Sequence, residues 1–122
     1  MELQKRTVFI ISDGTGITAE TFGHSVLSQF THKFSFDQER EPFVNSVERA
    51  KEVAKKIDAV ADADKLFPIV FSTIVDEEIN SHLRNSQCIY MDIFGACVRQ
   101  LEVSLNTKSN PTIGRSHISA SS

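Results

Sequence analysis

The chain has 122 residues, 40% of them hydrophobic and 24% charged, with a formal net charge of −3 at pH 7. That length holds one domain with a modest core, and the acidic balance leaves no basic footprint for nucleic acid or an anionic membrane. No apolar run approaches the roughly 20 residues that cross a bilayer, and residues 1–6 lead into a strand pattern rather than a secretory signal.

Residues 7–11 are a β-branched and aromatic run, which predicts a buried strand. The run enters Ser12-Asp13-Gly14-Thr15-Gly16, and residues 17–30 follow as a helix with an inward stripe of Ala19, Phe22, Val26, Leu27 and Phe30. A glycine turn between a parallel strand and a helix leaves backbone N–H groups pointing outward, which is how folds hold phosphate and other anions. Residues 33–37 alternate polar and apolar, as a second strand near the sheet edge would. Pro42-Phe43-Val44 ends that strand, and Asn45 with Glu48 three residues on reads as a capping box opening a second helix. Val47, Ala50, Val53, Ala54, Ile57 and Val60 form its stripe, and Glu52 pairs with Lys56 on the wet face. Residues 68–71 predict a third strand, 75–84 a third helix with Val75, Ile79 and Leu83 inward, and 88–91 a short fourth strand. Asp92 then caps a fourth helix whose stripe is Phe94, Cys97, Val98, Leu101 and Leu105. Cys88 and Cys97 are too widely spaced for a zinc knuckle or a redox pair and read as reduced, near-core thiols of a cytoplasmic protein. Periodicity stops at Asn106, so residues 1–106 read as one α/β domain and 107–122 as a linker or tail.

The alternation of strands and helices predicts an α/β fold, a Rossmann-like parallel sheet of about four strands with helices on both faces. Ligands of such sheets sit beyond the carboxyl ends of the strands. Ser12, Asp13 and Thr15 fall there, followed by Arg40 and Glu41, by Ser72 and Thr73, and by Asp92. Hydroxyls, aspartates and one arginine suit a phosphate or a hydrated Mg²⁺ better than an apolar ligand. Gly14-Thr15-Gly16-Ile17-Thr18-Ala19 matches the dinucleotide pattern G-x-G-x-x-A, with Asp37 or Glu39 where a ribose acid would stand. Asp13 before the first glycine opposes that reading, because it would repel a pyrophosphate. Asp13 can equally be a general base, a Mg²⁺ ligand or an Asx-type cap of its turn. Glu20 and His24 read as a solvated pair, His32 and His82 as surface residues, and Arg115-Ser116-His117 as a small cluster suited to an anion or as part of a disordered tail. No dedicated metal-binding set stands out.

Residues 12–20 resemble the opening motif of the phosphoenolpyruvate synthase regulatory proteins, whose near relatives act on pyruvate, phosphate dikinase. The similarity continues through Phe22-Gly23-His24, Pro42-Phe43-Val44-Asn45-Ser46, Ser72-Thr73-Ile74-Val75, Asp92-Ile93-Phe94-Gly95 and Gly114-Arg115-Ser116-His117. The resemblance implies a bifunctional enzyme. One activity is an ADP-dependent serine/threonine kinase that phosphorylates a threonine of the synthase in its phosphohistidine form and switches it off. The other is a phosphate-dependent phosphorylase that removes the phosphoryl group and releases pyrophosphate. ADP and phosphate are then substrates, Mg²⁺ is expected with them, and the synthase is the partner, with a homo-oligomer left open. Asp13 is the expected catalytic residue. Ser12, Gly14, Thr15, Gly16, Arg115 and His117 are the expected phosphate or nucleotide contacts. The family also carries a P-loop-like segment, G-x-S-R-x-G-K-T-P, beyond the Arg-Ser-His motif. Its pattern does not occur in these residues, so residues 107–122 read as leading toward it and the chain as a fragment with impaired transfer. The competing expectations are a non-catalytic domain that docks the synthase without turnover and a fragment of a dinucleotide oxidoreductase.

Overall fold

A computed structural model of the chain describes residues 3–110. Strand β1 (Gln4–Ile11) is followed by α1 (Ile17–Leu27), β2 (Phe34–Glu41), α2 (Val47–Asp64), β3 (Ile69–Ser72), α3 (Glu77–Arg84), β4 (Ile89–Asp92) and α4 (Ile93–Leu105). The four strands form one parallel sheet in the order β2-β1-β3-β4. This is the predicted α/β architecture, with β2 at an edge. The chain steps outward from β1 to β2 and then crosses back over β1 to reach β3. Successive right-handed crossovers in opposite directions put α1 on one face and α2 with α3 on the other.

The core is divided by the sheet accordingly. On the α2–α3 face Phe9, Ile11 and Val70 pack against Ala50, Val53, Ile57, Ile79 and Leu83. On the α1 face Val8, Ile10 and Phe71 pack against Ala19 and Leu27. Alternate residues of β1 feed opposite clusters, which is why the strand reads as one continuous apolar run. Each fully buried large side chain contributes roughly 1.5–3 kcal/mol through removal from water.

The elements depart from their sequence expectations in several places. Helix α1 stops at Leu27 and finishes as a 3₁₀ turn over Ser28–Phe30. Its buried stripe is Ala19, Gly23 and Leu27, whereas Phe22 and Phe30 stay largely exposed. Gly23 explains the choice of face: a Cβ there would sit 3.0 Å from the Phe71 ring, so the missing side chain lets α1 lie close to the sheet. Strand β2 runs on to Glu41. Ser46 caps α2, its hydroxyl accepting from the Arg49 N–H at 3.1 Å, in place of the Asn45–Glu48 box. Asp76 caps α3, which leaves Val75 in the preceding loop. Asp92 caps α4 as expected, but α4 buries none of its residues: Leu101 and Leu105 are 55% and 67% exposed, and Cys97 is exposed too. Its stripe lacks a core to enter among the described residues. Both cysteines are free thiols, and burial pushes the half-buried Cys88 up from its ordinary value. No described helix is long and apolar enough to cross a membrane.

Candidate functional site

The order β2-β1-β3-β4 creates a switch point between β1 and β3, where one strand's exit loop turns to one face and its neighbour's to the other. Four of the motifs singled out in the sequence lie at this carboxyl edge, one after each strand. Ser12 to Gly16 follows β1, Pro42 to Ser46 follows β2, Ser72 to Val75 closes β3, and Asp92 to Gly95 links β4 to α4.

Backbone hydrogen bonds lace the first three together. The Phe43 N–H donates to the Gly14 carbonyl and the Val44 N–H to the Ser12 carbonyl, both at 2.9 Å. The Thr73 N–H donates to the Ile11 carbonyl at 3.1 Å. Asp13 spans the switch point itself. It is buried, and its Oδ2 accepts the Val75 N–H at 3.0 Å, tying the β1 turn to the β3 loop. Phe43 holds a left-handed φ of +57°, a conformation an exposed aromatic residue adopts only under the constraint of its neighbours.

The turn differs in detail from a simple array of outward N–H groups. The Gly14 N–H is taken by Ser12 Oγ at 2.9 Å, so Ser12 acts on the turn itself. Gly16 is the α1 N-cap with φ +91°, which places glycine there for a conformational reason. Gly16 gives α1 no side-chain cap of its own, whereas Ser46, Asp76 and Asp92 cap α2, α3 and α4. The first-turn amides of α1 therefore receive no side-chain acceptor from their own N-cap, an arrangement that favours an anion at a helix start. Thr15 is exposed beside them. Arg115 and His117 lie outside the described residues.

The other strand-end residues have structural partners. Arg40 turns toward α1 and pairs with Glu20, its Nε donating to Glu20 Oε2 at 3.0 Å. That hydrogen bond lowers the Glu20 carboxyl from its ordinary value, with His24 a lesser influence, so Glu20 has Arg40 as its main partner beside the expected His24. Glu41 is buried and receives Arg49 at 2.9 Å and Lys56 at 3.2 Å. Lys56 thus serves Glu41 rather than Glu52. Arg49 and Lys56 are seven apart on α2 and share a face, a spacing from which this clamp was legible.

Sequence reasoning missed a buried polar network beneath β3 and β4. Asn80, in the buried stripe of α3, donates from Nδ2 to the Ile74 carbonyl at 2.8 Å. Its Oδ1 accepts from Tyr90 and lies 3.4 Å from Ser72 Oγ. Burial raises the Tyr90 phenol above its ordinary value, so it stays a donor. The signal was present as a polar residue between Ile79 and Leu83. Among the described residues, no group of three or more histidine, cysteine, aspartate or glutamate side chains converges as a metal site. A Mg²⁺ held mainly by substrate phosphates needs only one or two carboxylates, and Asp13 is the carboxylate that stands in the glycine turn.

Comparison with known proteins bears on this edge. A family profile described as Kinase/pyrophosphorylase matches residues 8–122. The chain is 50% identical over 117 residues to a protein of Janthinobacterium sp. (strain Marseille), covering 96% of this chain and 41% of that protein. It is 47% identical to one from Bordetella avium (strain 197N), over 96% of this chain and 42% of that protein. It is 48% identical to one from Herminiimonas arsenicoxydans, over 96% and 41% respectively. All three bear the provisional name phosphoenolpyruvate synthase regulatory protein. The chain spans about two fifths of the length of these relatives.

Proposed function

Because the chain belongs to the kinase/pyrophosphorylase family, we propose that its carboxyl edge serves a phosphotransferase that regulates phosphoenolpyruvate synthase. The observation that carries this reading is Asp13, buried at the β1/β3 switch point beside a helix whose N-cap glycine offers no side-chain acceptor. In the kinase direction a threonine oxygen of the synthase forms a bond to the terminal phosphorus of ADP, and the broken P–O bond releases AMP. In the phosphorylase direction inorganic phosphate takes the phosphoryl group from that threonine, giving pyrophosphate and the free hydroxyl.

The described residues would divide the work as follows. The α1 amides and Thr15 bind a phosphate group, with Gly16 setting the turn and the Ser12–Gly14 hydrogen bond holding its shape. Asp13 orients the target threonine or, with phosphate oxygens completing the shell, holds Mg²⁺. The ion supplies neutralisation of phosphate charge, which would otherwise meet the Asp13 carboxylate unscreened. Arg115 and His117 are proposed as further phosphate or partner contacts. The setting proposed for this chemistry is the cytoplasm.

Calorimetric titration of the chain with ADP and Mg²⁺ is the first test, with saturable binding expected. Transfer of label from the terminal phosphate of ADP to the synthase threonine is the second, read in the chain and in a longer relative carrying the same edge. Asp13→Ala is expected to abolish transfer in the relative while costing about 1 kcal/mol of stability through the lost Val75 contact. Full activity of that variant would remove Asp13 from the chemistry, and a folded chain that ignores ADP would place the nucleotide elsewhere.

One observation favours a second reading, docking of the synthase without turnover. Helix α4 presents Leu101 and Leu105, one turn apart on the same face, to solvent at 55% and 67% exposure, and contiguous exposed apolar side chains can mark interaction surfaces. Capture of the synthase by the chain in the absence of nucleotide, with no transfer of label, would select it.

A further inference from the structure

The two faces of the sheet are covered unequally. Neighbouring strands lie about 4.8 Å apart and packed helices about 8–10 Å apart, so one helix covers about two strands and a four-strand face takes two. Helices α2 and α3 supply both on the face of Val70. On the opposite face, among the described residues, α1 is joined only by Ile93 from the start of α4, a helix that buries none of its residues. Side chains alternate along β3 and β4, so Val70 and Tyr90 serve the covered face. Ile69 and Ile89, paired in register, share the other face with the next pair, Phe71 and Met91.

An apolar groove of about 230 Å³ results, lined by Phe30, Phe34, Ile69, Ile89 and Met91, with Arg6 its one charged member. Phe30, Ile89 and Met91 are 48%, 43% and 37% exposed, while Val70 on the other face is fully buried. Arg6, Phe34, Ile69 and Ile89 belong to the first halves of their strands, so the groove lies away from Asp13 and the carboxyl edge. A synthase segment that reacts at that edge has no need of it. A second copy related by a two-fold axis would set groove against groove and fill neither. Residues 111–122 carry only Ile113 and Ile118 as large apolar side chains, too few for a helical stripe. The chain matches 41% of its 50% identical relative. The rest of that relative is covalently joined to the matched part, which makes its docking intramolecular and strongly favoured.

We propose that this groove is an interface within the longer relatives, filled by an amphipathic helix from the part that this chain does not match. The helix lays its apolar stripe beside α1, over Ile69, Ile89 and Met91, and completes the layer as α3 does beside α2. A parallel sheet covered on both faces is the ordinary state of this architecture. The proposal rests on family membership and on the unequal layers, and is independent of phosphoryl transfer.

The test is carbene labelling of side chains, read by mass spectrometry, on the chain and on a chimera in which it replaces the matched part of the 50% identical relative. Phe30, Ile89 and Met91 are expected to label in the chain. In the chimera their labelling falls to that of the buried Val70 and Phe71, while the exposed Lys51 and Lys55 of α2 label as before. Ile89→Lys leaves the chain folded, because that side chain is 43% exposed on an edge strand. It is expected to restore labelling at Phe30 and Met91 in the chimera. The intact relative, labelled over the segments aligned with the groove, is the second measurement and is expected to be protected there. Equal labelling of the groove in chain and chimera, or an unprotected groove in the intact relative, would overturn the proposal. So would protection that grows with the concentration of the chain alone, which assigns the groove to a second copy. Protection of the chimera only on addition of the synthase would overturn it as well. None of these readings involves transfer of phosphate, so a failed transfer assay leaves them intact.

Discussion

At the scale of single residues, the edge is built on two glycines that a side chain would replace only at a cost. Gly16 must adopt φ +91°, a region that costs an L-residue about 1–2 kcal/mol. Gly95 has an ordinary backbone but faces the Asp92 carboxylate across space too small for a methyl group. Gly95→Ala is expected to displace that carboxylate and break the α4 cap, lowering stability by about 0.5–2 kcal/mol. The urea midpoint measures the loss, and amide exchange in the first turn of α4 locates it. An unchanged midpoint would mean that Asp92 has a second rotamer able to cap. These two glycines stood in the sequence as equivalent motif letters. Their separate reasons, conformation for one and proximity for the other, were visible only with neighbours in place.

At the scale of elements, the four helices begin in different ways, and the difference follows what surrounds them. Helices α2, α3 and α4 each start with a serine or aspartate accepting from their own first-turn amides. Helix α1 begins with a glycine, which offers those amides no side-chain acceptor. Ser46→Ala should therefore destabilise the chain by about 0.5–2 kcal/mol, measured by thermal or urea unfolding. Asn45→Ala should cost much less, because Asn45 lies outside the cap. A larger loss at Asn45 than at Ser46 would restore the capping box read from the sequence. The pattern Asn-Ser-x-Glu permits either residue to cap, and the approach of β2 to α2 through Val44, whose N–H is held by Ser12, selects Ser46.

At the scale of the molecule, the buried network of Ser72, Asn80 and Tyr90 joins β3, α3 and β4 at the end of the sheet farthest from β2. Tyr90 is the chain's one tyrosine, so its ionisation can be followed directly by ultraviolet absorbance. Burial raises its pKa above the ordinary value of 10.0. The folded state thus keeps a proton that the unfolded state releases near pH 10. Stability falls as pH rises through that point, because proton loss favours the unfolded chain. The phenolate band should therefore appear together with unfolding rather than at pH 10 in the native state. Tyr90→Phe should flatten the alkaline decline while costing about 1 kcal/mol at neutral pH. A native-state titration near pH 10 would contradict the buried placement.

The sequence by itself determined the alternation of elements, the edge position of β2, the motif-bearing strand ends and the cap at Asp92. Each follows from local pattern, because a strand's period, a turn's glycine and a cap's side chain act within a few residues. It also carried the family, through an ordered succession of short motifs that the Kinase/pyrophosphorylase profile matches over residues 8–122. Only the tertiary structure decided which apolar stripes find a core. The stripe of α4 is as periodic as that of α2, yet α2 lies across the sheet and α4 does not. Only the fold could turn Arg40 toward Glu20, give Lys56 to Glu41, and bring Asp13 to the Val75 amide 62 positions away. Pairings of that range depend on how β1 and β3 come to lie side by side, and strand order leaves no trace in local periodicity.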